Sequence, residues 1–151
     1  MAKNVESTTY RKLDVDALAE DKFDEGDDGY LQEGVDEKSI MNLLQSSRND
    51  EALHTLLQNT PIDRKISQEV KDRTACIMSK IVQSYRLNEI EGAVGSLSES
   101  EADLLIKLVY RAFDILPDGA LCQSLLQWHS HIITRFGKGA IVRVFASRNS
   151  F

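Results

Sequence analysis

The acidic run Asp24-Glu25-Gly26-Asp27-Asp28-Gly29 invites a calcium reading, because hard cations are held by clustered carboxylate oxygens. With Asp24 as the first position of an EF-hand loop, Asp28 and Gly29 fall on the fifth and sixth, where the loop needs them. The third position is then Gly26 and the twelfth is Val35, so two ligands are missing, including the bidentate one. A solvated acidic linker accounts for the run better. Gly137-Lys138-Gly139 sets a lysine between glycines but lacks the spaced first glycine of a P-loop and the Ser or Thr after its lysine. A helix-ending turn explains it.

Metal and nucleophile chemistry fare no better. His129 and His131 are two positions apart, about 200° around a helix, so they cannot share a metal. The three histidines and two cysteines have no zinc spacing. Cys76 and Cys122 each lie in an amphipathic helical pattern, which favours inert, reduced core thiols over a nucleophile or a disulfide framework. No convergent acid, base and nucleophile is present, so no enzymatic activity, cofactor or metal is expected. Trp128, the only tryptophan, lies on an apolar stripe with Leu125 and Ile132, and a core role is favoured over an interface hot spot. Arg111, Arg143 and Arg148 suit acidic partners or solvated helix faces equally well.

The elements that would position these residues are helical from Asp36 onward. Ile40, Leu43 and Leu44 recur at i, i+3, i+4. Asn49 is placed to cap a second helix with Ala52, Leu53, Leu56 and Leu57 on one face, and Pro61 marks a break. Ser67 can cap a long helix striped by Val70, Thr74, Ile77, Met78, Ile81, Val82 and Tyr85. Asn88 can start a short one carrying Ile90, Ala93, Val94 and Leu97. Ser98-Glu99-Ser100-Glu101 reads as a capping box opening a helix with Leu104, Leu105, Leu108, Val109, Ala112 and Phe113 inward, and Pro117 lies beyond its end. Asp118 can cap the next, with Leu121, Cys122, Leu125, Trp128, His129, Ile132 and Ile133 inward and Gly137 at its C-terminal cap. The segment 139–147 carries β-branched Ile141, Val142 and Val144, but a lone strand would have no partner, so a helix is expected.

The resulting fold class is all-α: about seven helices with short connections, in a bundle or αα-superhelix, preceded by an extended disordered acidic arm. Residues 1–35 form the flexible arm and residues 36–151 the helical domain. Residues 1–40 carry a net charge of −7 and the remainder +1, so the overall −6 belongs to the front of the chain. The arm has too few apolar residues to offset its ordering entropy, yet Leu13, Val15, Leu18 and Phe23 are too many for an inert tail. They look like anchors for a partner. The acidic balance argues against nucleic-acid binding. The opening MAKNVESTTYRK has no apolar stretch of a secretory signal, and no apolar run is long enough to span a membrane. A soluble, cytoplasmic protein is expected.

These blocks also carry a resemblance. Arg11-Lys12-Leu13-Asp14-Val15-Asp16 with Lys22-Phe23, then Val70-Lys71-Asp72-Arg73, Ile90-Glu91-Gly92-Ala93-Val94 and Leu104-Leu105-Ile106-Lys107 follow one another in order. Leu125-Leu126-Gln127-Trp128-His129 and Ile141-Val142-Arg143-Val144 complete the set. Together they resemble the subunit-five family of the actin-related protein 2/3 complex, nearly end to end. The resemblance implies a non-catalytic, cytoskeletal subunit in a hetero-oligomer that nucleates branched actin filaments, touching the filaments themselves only indirectly. It further implies that the helical body docks on a β-propeller subunit and a neighbouring scaffold subunit, while the arm tethers an actin-related subunit. Carried over, Arg11, Lys12, Leu13, Asp14, Val15, Asp16 and Phe23 would be the arm's contacts. A reading from a different class is a free-standing helical-repeat adaptor that binds short peptides in a groove.

Overall fold

The computed structural model describes residues 35–61, 66–116 and 118–147. The arm from residue 1 to 34, Pro117 and Arg148 lie outside the described residues. Among those described there are seven helices and no strand: α1 (Glu37–Gln45), α2 (Asn49–Asn59), α3 (Gln68–Ser84), α4 (Ile90–Ser96), α5 (Glu99–Ile115), α6 (Gly119–Phe136) and α7 (Gly139–Ala146). The helical reading of 139–147 holds, because α7 finds cover for Ala140 and half-buries Ile141 and Val144 against α5 and α6.

Most helix starts follow their capping residues. Asp36 accepts a bond of 3.0 Å from the Lys38 N–H, and Ser67 accepts one of 3.4 Å from Val70. The box at α5 is complete. Glu101 accepts from the Ser98 N–H at 2.9 Å, and the Glu101 N–H donates to the Ser98 hydroxyl oxygen at 3.4 Å. Asp118 accepts from Leu121 at 3.0 Å, and α6 ends on Gly137 with φ of 75°, a backbone that glycine adopts without a Cβ clash.

Two starts differ from expectation. Asn49 is the first residue of α2, not its cap, and Arg48 in the cap position makes no side-chain cap bond. The reason lies in how α1 ends. Arg48 N–H donates to Leu43 at 2.9 Å and Ser47 N–H to Leu44 at 3.0 Å, with Ser47 at φ 58°. This is a Schellman turn, and it leaves no extended residue for a cap at 49. The Asn49 amide instead donates to the Ser84 carbonyl at 3.4 Å, at the end of α3. At α4 the helix begins at Ile90, two residues after Asn88. A turn closed by Glu89 N–H on the Arg86 carbonyl at 2.9 Å occupies the intervening residues.

The core is one cluster running through the body. α1 packs on α2, α2 on α3, α3 on α5 and α6, α4 on α6, and α7 on α5 and α6. Helix α5 is central. Beyond the expected stripe it also buries Ala102 and Ile106, because neighbours cover it on several sides. On α6, Leu121, Leu125, Trp128 and Ile132 are buried, while Cys122, His129 and Ile133 sit half-buried at the stripe's edge.

Candidate functional site

The arm contacts implied by the resemblance, Arg11 through Asp16 and Phe23, lie outside the described residues. What the body offers is built around Trp128, Arg111, Arg143 and the outer side of α7. Trp128 is fully buried, with its ring meeting Tyr85 edge-on at a centroid distance of 5.0 Å. Its indole nitrogen finds no acceptor among the described residues. Tyr85 passes the contact outward, donating its hydroxyl to Asp50 at 2.8 Å. Burial, then the bond to Asp50, raises the Tyr85 pKa, so it stays a neutral donor. Within this chain the tryptophan is core, and it ties α6 to the C-terminal end of α3.

Neither arginine is a free cation or a solvated bystander, the two roles its sequence position suggested. Arg111 on α5 donates to Asp72 of α3 at 2.6 Å and approaches Asp114 at 3.4 Å, with only 16% of its side chain exposed. Arg143 on α7 grips Asp103 through two bonds of 2.7 and 3.0 Å and pairs with Glu99 at 2.9 Å. The hydrogen bond to Asp103 raises the Arg143 pKa further above its ordinary value. These pairs clamp α3 to α5 and α5 to α7. Sequence periodicity placed the residues on helix faces but carried no signal of which carboxylates would face them.

A third junction was not anticipated. His54 of α2 lies 3.0 Å from Glu101 and 3.2 Å from the Ser96 hydroxyl, joining α2 to the α4–α5 corner. Burial alone would raise the Glu101 pKa. The bonds from the Ser98 N–H and hydroxyl and from His54 outweigh it, and the net shift is downward. A capping-box glutamate was legible in the sequence; its long-range partner was not.

The remaining reactive groups are dispersed. Both cysteines are free and half-buried, so they are edge thiols and not the core thiols expected. Cys76 lines an open groove with Ile115, Leu116 and Leu121. His129 lies 3.1 Å from the Tyr110 hydroxyl, and His131 stands apart from it beside Thr134 and Arg135. Among the described residues no three His, Cys, Asp or Glu side chains gather where a metal could be held, and no helix is long and apolar enough to cross a membrane.

The surface is more informative. Among the described residues, the large apolar side chains left exposed are Leu87, Leu126, Val142 and Phe145. Two of these four belong to α7, whose only charged residue, Arg143, is committed to α5. Phe145 stacks on Tyr110 at 5.7 Å, and Tyr110 meets His129, so aromatic surface runs from α7 across α5 to α6. The described part of the body thus combines helices clamped by ion pairs with an exposed apolar strip on α7.

The family described as ARP2/3 complex 16 kDa subunit (p16-Arc) matches residues 9–151. The chain is 39% identical over 151 residues to actin-related protein 2/3 complex subunit 5-C of Xenopus laevis, covering 99% of both chains. It is 33% identical to the probable actin-related protein 2/3 complex subunit 5 of Caenorhabditis elegans, covering 94% of this chain and 97% of that one. Against the human actin-related protein 2/3 complex subunit 5-like protein it is 33% identical, with 99% of each covered. An ordered run of matching blocks, a wholly helical body and similarity over the full length of these relatives lead to one assignment: the chain belongs to the p16-Arc family of ARP2/3 complex subunits.

Proposed function

We propose that this protein is a non-catalytic structural subunit of the ARP2/3 complex, with residues 36–151 as the docking body and residues 1–35 as an arm that tethers an actin-related subunit. The observation that carries the reading is the family match, which runs from residue 9 and so includes the arm as well as the body. Its setting is the cytoplasm and the actin cytoskeleton, in a hetero-oligomer whose β-propeller and scaffold subunits receive the body. The chemistry is mass action. An arm joined to a docked body meets its target at high effective concentration, so a few weak contacts suffice.

The arm combines the cations Arg11 and Lys12 with the apolar Leu13 and Val15. Deleting residues 1–35 from a reconstituted complex should leave incorporation intact and lower branched-filament nucleation. Leu13→Ala with Val15→Ala should weaken tethering at any salt, because apolar burial is unscreened. Arg11→Glu with Lys12→Glu should weaken it mainly at low salt, where exposed charges interact over a Debye length of about 10 Å or more. Full nucleation by the arm-deleted subunit at every salt concentration would show the arm to be a solvated tail.

A further inference from the structure

We infer that the outer side of α7, Val142 and Phe145 extended by Tyr110, is where the body is covered by an apolar face of another protein subunit. The inference rests on the reading of the chain as a complex subunit and adds the surface through which the body docks. A helix at the surface of a self-sufficient domain turns a polar face to water, and one apolar on all sides belongs in an interior. Helix α7 reads Gly-Ala-Ile-Val-Arg-Val-Phe-Ala. Its inner side is used: Ala140 is buried, and Ile141 and Val144 are half-buried. Its outer side has no polar residue to show. Val142 is 65% and Phe145 75% exposed, one turn apart, and Ala146 is exposed beside them.

The single charge does not rescue the outer side. Arg143 turns back to Asp103 and Glu99, which fixes the helix on α5 and holds Val142 and Phe145 in place while most of their surface stays in water. Such preorganisation lowers the ordering cost of association. The aromatic share is also telling. Phe145 stacked on Tyr110 presents rigid rings, the side-chain type enriched at the centres of protein interfaces.

Membership of a family of complex subunits favours another protein subunit as the occupant. An interfacial membrane helix carries a lysine- and arginine-rich face to meet anionic lipid. The only cation within α7, Arg143, is committed to Asp103 and Glu99, so the helix itself offers no such face. A protein face needs no such charge.

The test uses the full chain and the reconstituted complex. Val142→Lys with Phe145→Lys should leave the thermal midpoint of the isolated chain nearly unchanged and weaken incorporation at least tenfold, read by sedimentation. Leu87→Lys, equally exposed at 66% but before α4, should incorporate as the unchanged chain does. If the double variant incorporates normally, the inference is overturned while the subunit reading stands. If the unchanged chain itself fails to enter the complex, the subunit reading falls, and this inference with it. Self-association of the isolated chain that the double variant abolishes would make a second copy the occupant. Binding of the unchanged chain to vesicles containing phosphatidylserine, lost in the double variant, would make it a membrane. Either result overturns the proposal.

Discussion

The stripe of α6 that carries Trp128 and the outer side of α7 are both apolar, yet the chain's own helices close over the first and leave the second in water. The difference separates two uses of the same chemistry. Area covered within the chain contributes to folding, and area left over contributes only when something else covers it. Mutations on the two surfaces should therefore part company. On α6 they change stability first and assembly as a consequence. On α7 they change assembly alone.

The largest effect is expected at the centre of the first surface. Trp128→Ala removes a fully buried ring and its edge contact with Tyr85, and should cost about 3–5 kcal/mol. For a domain of this size that lowers the thermal midpoint by about 10 °C or more. Calorimetry of the isolated chain is the measurement. An unchanged midpoint accompanied by lost assembly would move Trp128 from the first surface to the second. Trp128→Phe sharpens the point: the indole N–H has no acceptor among the described residues, so that variant forfeits volume but none of their hydrogen bonds and should lose much less.

The clamps come next. Arg111→Met leaves the Asp72 carboxylate without its partner and should cost about 1–2 kcal/mol in urea unfolding. Arg143→Met breaks more exposed bonds, and should cost less than Arg111→Met. The ordering of the two, more than either value, tests whether burial sets their worth.

Glu101→Gln should cost about 1 kcal/mol near neutral pH, with a pH dependence of definite sign. The folded pKa of Glu101 lies below the ordinary 4.5, so its carboxylate contributes stability above that value and loses it as pH falls through the folded pKa. The gap between the parent and Glu101→Gln should narrow in acid. A gap that widened below pH 4.5 would mean the capping and His54 bonds do not hold the ionised form.

How far these features were legible in the sequence follows from the range of the interactions. Caps at Ser67, Ser98 and Asp118 are contacts within four residues, and spacing alone revealed them. Asn49 misled because the same local chemistry was pre-empted by the Schellman turn closing α1, whose left-handed Ser47 has no glycine to announce it. Arg111–Asp72 and Arg143–Asp103 span some forty positions, and no local pattern encodes that pairing. For α7, the apolar composition was plain, but periodicity could not say which side the chain would leave uncovered. That depends on α5 and α6 already being packed.

The smallest expected effect is the most exacting test of the comparison. Val142→Thr keeps β-branching, so helix propensity and side-chain shape barely change. In the core such a swap buries a hydroxyl that then needs a partner, at about 1–3 kcal/mol. At a position 65% exposed the hydroxyl stays hydrated, and the isolated chain should lose no more than about 0.5 kcal/mol. In the assembled complex the same hydroxyl would meet an apolar partner face, and there the larger penalty should appear as a faster loss of the subunit on dilution. A cost above about 1 kcal/mol in the isolated chain would show that the outer side of α7 is packed within the body after all. The two surfaces would then be one core.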